Sequence, residues 1–258
     1  MKILIQFLSV LLFTNFVSAK DYKVLVIDFL PIDGQDSSGK YTGVQVELTE
    51  AVCKKLKYNC KFELLPIRRA EEMLAQGEAD FFLGLQTSPQ RKEVAYFSPM
   101  LTSSAYTFFA KNGSAKKFKT LADVSGSTVG VHGPSGTQRS LESLNTKLTN
   151  KIKIELEPIT EVPFKKLAGD RYGENGLVYS NRSVGTYMIR KMKFPLEPVS
   201  FDTEKLYHGV MLSKKNFTAE EYKKIWAAYK EVVDSPEGKK IYASWPVEKY
   251  DGPAENVP

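Results

Sequence analysis

Alternating helix and strand patterns run along most of the chain. A continuous apolar run at Val24–Ile27 predicts a strand buried on both faces. Apolar residues then recur at helical spacing from Val44 to Leu56. A strand at 60–65, a helix at 68–76 and a strand at 79–83 continue the alternation. Because parallel strands need a crossover connection, this order predicts a parallel, covered sheet.

A second alternating set follows a β-rich segment at 98–110 and a turn at 111–114. Its predicted strands are 128–131, 152–155 and 177–179, and its predicted helices are 137–148, 164–168 and 184–191. The last third differs, because a strand at 208–212 is followed by two helices. Thr218 to Glu221 match a capping box, and Pro236 occupies a first helical position. We therefore expect two lobes, with the chain returning to the first.

The N-terminus has the pattern of a secretory signal peptide. Lys2 precedes an apolar run from Ile3 to Phe13, and small residues lead to Ala19. An uncleaved anchor is disfavoured, since the apolar core has about 11 residues and a span needs about 20. Residue 20 is Lys and not the Cys of a lipoprotein. We expect residues 1–19 to be removed and the mature chain to be periplasmic.

Composition changes this picture little. The 258 residues are 42% hydrophobic and 26% charged, which is typical of a folded globular protein. A net charge of +6 raises the question of nucleic acid, but the basic residues are scattered doublets, such as Lys116-Lys117, among 30 acids. Because backbone recognition needs charge concentrated on one face, we expect no nucleic-acid partner.

Cys53 and Cys60 are the two cysteines of the chain, and export favours a disulfide between them that staples a helix to a strand. The two histidines, His132 and His208, lie far apart in unrelated patterns, so we expect no metal. The turn at 133–136 is neither a nucleophile elbow nor a phosphate-binding loop. With no paired acid motif either, we expect no cofactor, no catalytic residue and no enzymatic activity.

Short motifs follow one another in a characteristic order. They are Phe29-Leu30-Pro31-Ile32, Gly43-Val44-Gln45-Val46-Glu47-Leu48, the Cys53 to Cys60 spacing, Gly77-Glu78-Ala79-Asp80, Gly84-Leu85-Gln86-Thr87-Ser88-Pro89-Gln90-Arg91, Phe97-Ser98-Pro99, 121–131, Gly136-Thr137 and 238–242 before Trp245. Through these motifs nearly the whole mature chain resembles the periplasmic solute-binding proteins of the polar-amino-acid type (family 3). That group includes histidine- and lysine/arginine/ornithine-binding proteins of ABC importers.

The resemblance implies the α/β, two-lobed periplasmic-binding-protein fold with a hinge of two crossover strands. Lobe 1 would comprise 20–110 and 209–258, and lobe 2 would comprise 111–208. A small solute would bind between the lobes and close them. We expect a monomer whose partner is a membrane permease.

By the same resemblance, Arg91 pairs with a ligand carboxylate, which suits the two parallel donors of a guanidinium. Thr137 lies at a helix N-terminus, where free N–H groups favour an anion. Phe29 and Ile67 match walls of the site, although either residue could belong to the core.

Gly84, at the start of its motif, and Arg69, beside Ile67, complete the expected lobe 1 contacts. Arg68 and Asp28 are further candidates there. Asn181 stands where amino-acid binders of this type carry an Asp for the α-ammonium. An amide adds no opposing charge, and Arg182 would repel an ammonium. We therefore expect a small polar or anionic solute, amino-acid-like or a carboxylate.

Two alternatives stay open beside import. The protein could present its ligand to a membrane signalling protein as a sensor module. A periplasmic lyase or dehydratase is also possible, since that activity occurs on the fold to which the resemblance points. It is less favoured, because the sequence has no paired acid motif.

Overall fold

The structure is a computed structural model that describes residues 20–252. The helices are α1 Val44–Leu56, α2 Ile67–Gln76, α3 Pro89–Val94, α4 Gly136–Thr146, α5 Glu161–Ala168, α6 Arg182–Met192, α7 Ala219–Asp234 and α8 Pro236–Ser244. The strands are β1 Asp21–Val26, β2 Gly34–Gln35, β3 Tyr41–Thr42, β4 Asn59–Leu64, β5 Phe81–Leu85, β6 Ala95–Phe97, β7 Thr102–Lys111, β8 Thr128–His132, β9 Lys153–Glu157, β10 Leu177–Asn181, β11 Leu196–Ser213 and β12 Glu248–Lys249.

Eight strands form one continuous path in the order β4-β1-β5-β11-β7-β10-β8-β9. β1 pairs in parallel with β4 and β5, and β8 pairs in parallel with β9 and β10. The predicted α/β class with parallel strands is therefore confirmed. The carboxyl ends of the parallel strands in each half form one edge, which is where open α/β sheets place their ligand clefts.

Two antiparallel strands, β7 and β11, join the halves. His208 lies opposite Thr102, and Leu196 lies opposite Lys111 at the other end of the pair. We call this pair the crossover ribbon. The sequence predicted only residues 208–212 of β11, whereas the strand has 18 residues.

The buried apolar residues separate into cores on either side of the crossover ribbon. The cores of the first half contain residues between 24 and 101 and between 210 and 241. Those of the second half contain residues between 108 and 199. The change of core thus falls between Leu101 and Phe108 and again between Val199 and Val210. The division into two lobes stays a prediction.

Two local features predicted from the sequence are present in the structure. Cys53 in α1 is bonded to Cys60 in β4, as predicted. The capping box of Thr218 and Glu221 begins α7. The predicted signal peptide at 1–19 lies outside the described residues. Within 20–252, no helix has the length and apolar character needed to cross a bilayer.

Candidate functional site

Phe29 and Ile67 follow the carboxyl ends of parallel strands β1 and β4 in the first half. Phe29 follows the end of β1 and is half-buried, with its ring edge-on to the ring of His208 at 5.4 Å between centroids. Ile67 begins α2 and is 40% exposed, which is high for a large apolar residue. Exposure of that kind suits a wall of a binding site better than a core position.

Gly84, near the end of β5, is held by two buried polar side chains. Its N–H donates to Gln45 Oε1 at 2.8 Å. A Cβ at this position would lie 2.1 Å from Asp33 Oδ1, and the φ of 76° also favours glycine. The backbone of β5 therefore approaches the Asp33 carboxyl more closely than any other residue type would permit.

The Asp33 carboxyl is fully buried and has no charged partner. Its Oδ2 accepts the Ile27 N–H at 2.9 Å, and its Oδ1 has no hydrogen-bond partner. Burial, together with a smaller contribution from the nearby charge of Asp28, raises the pKa of this carboxyl to about 8. Asp33 is therefore mostly neutral at pH 7.

Arg91 is placed by α3, which begins at Pro89 with the Ser88 side chain accepting the Arg91 N–H. Its guanidinium is already engaged. Nε and Nη2 donate to Glu71 Oε1 at 2.8 and 2.7 Å, and Nη1 donates to the Gln86 carbonyl at 2.8 Å. A solute anion that reached Arg91 would have to share it with Glu71 or displace that carboxylate.

Arg69 lies on the exposed side of α2. It faces Glu72 at 3.9 Å and Glu78 at 3.7 Å, and its side chain is 54% exposed. Exposed pairs of this length contribute little energy. Within residues 20–252, neither of these ion pairs of Arg69 joins it to another expected site residue.

In the second half, Thr137 occupies the second position of α4, and its side chain hydrogen bonds with Tyr106 of β7. Burial raises the pKa of the Tyr106 hydroxyl, which keeps it protonated. Thr137 is thus tied to the crossover ribbon at the anion-favouring end of its helix.

Asn181 ends β10 and is 3% exposed. Its Oδ1 accepts from Ser104 Oγ at 2.7 Å and from the Ser183 N–H at 2.9 Å, so it caps α6 and links it to β7. Its Nδ2 has no partner. The amide therefore retains a free donor, which suits an acceptor group of a solute.

Arg182 does not act as a free charge beside Asn181. Its Nε and Nη2 donate to Asp202 Oδ1 at 2.9 and 2.5 Å, and Nη2 also donates to Thr107. Arg69, Arg91 and Arg182 each face an acid, so three of the arginines behind the expectation of an anionic solute are paired within the protein.

Three expected residues converge on one face of the crossover ribbon. Side chains alternate along a strand, and directly opposed residues point to the same side. Thr102, Ser104 and Tyr106 of β7 therefore share one face with His208, Leu206 and Glu204 of β11. This face, which we call the ribbon floor, contacts Phe29 through His208, Asn181 through Ser104, and Thr137 through Tyr106.

The residues of the ribbon floor were missed from the sequence. The sequence placed His208 in a strand at a crossover and gave it no ligand role, and it placed Thr102 to Tyr106 in a β-rich run. Their shared face depends on a pairing across about a hundred residues of chain, for which no local pattern gives a signal.

A groove of about 950 Å³ lies beside the crossover ribbon and is lined by Ser103, Ala105 and Tyr207 of its other face and also by Ser104 of the ribbon floor. Residues of α6 and of the segment from Tyr242 to Gly252 line it as well. It contains none of the seven expected ligand-binding residues. Among residues 20–252, no cluster of three or more His, Cys, Asp or Glu side chains could hold a metal ion.

Residues 24–248 match the sequence profile of the family described as bacterial extracellular solute-binding proteins, family 3. The chain belongs to this family. The arginine-binding periplasmic protein of Mannheimia haemolytica is 28% identical over 125 residues, which cover 47% of this chain and 53% of that protein. The match thus spans about half the length of that curated relative.

Solved structures support the fold of this family member. A histidine kinase sensor domain with similarity to periplasmic binding proteins has a TM-score of 0.71 at 22% identity, covering 90% of this chain and 99% of that one. An ancestral arginine-binding protein bound to arginine has a TM-score of 0.68 at 23% identity, covering 87% and 97%. The periplasmic-binding-protein fold is therefore confirmed.

Proposed function

We propose that this protein captures a small polar solute, amino-acid-like or a carboxylate, in a cleft over the ribbon floor, in the periplasm. The observation that carries the proposal is the convergence of Phe29, Thr137 and Asn181, from both halves of the chain, on one face of the crossover ribbon. A solute held there touches both halves, and its binding favours the form in which both sets of contacts exist.

Polar anchors for the solute come from each half. Arg91 supplies a guanidinium if the solute anion takes the place of Glu71, and Asn181 Nδ2 supplies a free donor. Thr137 adds the N-terminal end of α4. Phe29 and Ile67 supply apolar walls, and Gly84 brings the β5 backbone against the buried Asp33 carboxyl.

Delivery to an ABC-type importer follows from the proposed binding role. The arginine-binding relative is a periplasmic protein, and the signal-peptide pattern at 1–19 agrees with that compartment. We expect the mature protein to be a monomer that begins at Lys20, which N-terminal sequencing of the exported protein checks.

A sensor role is a second candidate, favoured by the similarity to a histidine kinase sensor domain. Copurification separates the two roles. An importer protein would be recovered with a permease, whereas a sensor module would be recovered with a membrane signalling protein.

The binding proposal is tested by native mass spectrometry of freshly purified protein, which identifies a retained solute, and then by calorimetry with that solute. Arg91→Ala is expected to weaken binding by a factor of about ten or more, the effect of losing a charge-assisted hydrogen bond. Arg171→Ala, which removes the same charge from an exposed turn after α5, is the matched control. Equal affinity in both variants would show that Arg91 does not bind the solute.

A further inference from the structure

Unpartnered polar atoms are concentrated where the two halves meet. Buried side-chain atoms without a hydrogen-bond partner in residues 20–252 are Asp33 Oδ1, Gln45 Nε2, Thr102 Oγ1, Tyr172 Oη, Asn181 Nδ2 and His208 Nδ1. Each such atom costs about 1–3 kcal/mol of stability. Several such atoms in one place call for a partner from outside the chain, and a bound solute is one such partner.

All of these atoms except Tyr172 Oη lie around the end of β5 or on the ribbon floor. Asp33 and Gln45 lie against Gly84, whose neighbour Leu85 pairs with Gly209, next to His208. Asn181 reaches the ribbon floor through Ser104. Tyr172 instead packs beside Gly130 in the core of the second half.

Thr102 and His208 are the pair best placed to act together. They are directly opposed in the antiparallel register, which puts their Cβ atoms about 5 Å apart on one face. Both are buried, at 0% and 2% exposure. The ring of Phe29 lies edge-on to the His208 ring, so Phe29 lies over the His208 side of the pair.

The surroundings of this pair favour an uncharged group. Burial lowers the pKa of His208 to about 4, so its imidazole is neutral at pH 7. The Thr102 hydroxyl carries no charge, and Asp33 is mostly neutral at the same pH. A charged group buried here would lose its hydration without gaining an opposite charge.

We propose that Thr102 and His208 form a polar subsite in the floor of the cleft, covered by Phe29, that receives an uncharged hydrogen-bonding group of the solute, such as a carboxamide or a hydroxyl. This inference rests on the proposed function and deepens it. Within the subsite, the Thr102 hydroxyl can donate or accept, and His208 Nδ1 supplies the second contact.

The subsite predicts opposite effects of one substitution on stability and on affinity. Thr102→Val keeps the shape of the side chain and removes an unpartnered hydroxyl. The ligand-free variant is expected to unfold at the same or a higher temperature, because no hydrogen bond is lost. Calorimetry with L-glutamine is expected to show affinity about tenfold weaker than that of the native protein. Thr102→Ser, which keeps the hydroxyl, is expected to restore most of the affinity.

Tyr172→Phe is the matched control, because it removes an unpartnered hydroxyl outside the cleft. It is expected to raise or preserve the unfolding temperature and to leave the affinity for L-glutamine unchanged. A purely structural role for the orphaned atoms would give Thr102→Val and Tyr172→Phe the same behaviour.

L-Glutamate and L-arginine test the class of group, since glutamate has a carboxylate in place of the carboxamide of L-glutamine and arginine ends its longer side chain in a cation. The native protein is expected to bind L-glutamine most tightly of the three. Tighter binding of either charged probe, unchanged affinity of Thr102→Val for L-glutamine, or no binding of any probe overturns the subsite. The proposed function fails separately, if the protein retains no solute and Arg91→Ala and Arg171→Ala behave alike.

Discussion

At the scale of single residues, the end of β5 combines a glycine with a left-handed backbone and a buried carboxyl pressed against it. The motif around Gly84 could be recognised from the sequence, but the contacts that require a glycine at this position could not. Asp33 lies 51 positions away and Gln45 lies 39 away, and only the folded chain brings them to the same backbone atoms. The Glu71 partner of Arg91 was missed for the same reason.

Gly84→Ala is expected to lower the free energy of unfolding by about 2 to 4 kcal/mol, from backbone strain and overlap with Asp33. Urea unfolding measures the loss. Gly39→Ala is the control, because Gly39 has a φ of 82° but nothing within 4 Å of its Cβ position. A similar loss at both positions would contradict the close approach of Asp33.

Asp33 gives stability a defined dependence on pH. Its pKa in the folded protein, about 8, lies above the ordinary value of 3.8, so the folded state binds the proton more tightly. The contribution is fully present below about pH 4 and is lost as pH rises towards 8. Asp33→Asn, which cannot ionise, is expected to flatten this decline.

Thermal unfolding of native protein and Asp33→Asn between pH 5 and pH 8 measures the effect. Parallel curves for the two proteins would show that the Asp33 carboxyl ionises freely in the folded state.

At the scale of elements, local patterns predicted what local interactions determine. The apolar run of β1, the spacing of α1 and the capping box of α7 all appear where expected. The first part of β11 was missed, because its burial pattern is irregular and its register shifts between Pro198 and Glu204. The partner that makes it a strand, β7, is remote in sequence.

The disulfide between α1 and β4 closes a loop with a sequence separation of 7. Its removal is expected to cost about 2.5 kcal/mol through the greater freedom of the unfolded chain. Chemical denaturation with and without reductant measures this difference. A Cys53→Ala, Cys60→Ala double variant is expected to have the stability of the reduced protein, both with and without reductant. If that variant were as stable as the oxidised native protein, the disulfide would not contribute to stability.

At the scale of the whole molecule, two sets of cores are joined by the crossover ribbon, and three expected ligand residues, Phe29, Thr137 and Asn181, contact one of its faces. The resemblance pointed to the periplasmic-binding-protein fold, which the family match and the similar solved structures confirm. It did not point to the ribbon floor, since that surface exists only through the pairing of β7 with β11.

Closure around the solute is the central claim, and small-angle X-ray scattering tests it most directly. The solute identified by native mass spectrometry is added to the native protein and to Arg91→Ala at equal concentration. The radius of gyration of the native protein is expected to fall on addition, while that of Arg91→Ala stays near its ligand-free value. An unchanged scattering curve for native protein saturated with its solute would contradict closure of the two halves.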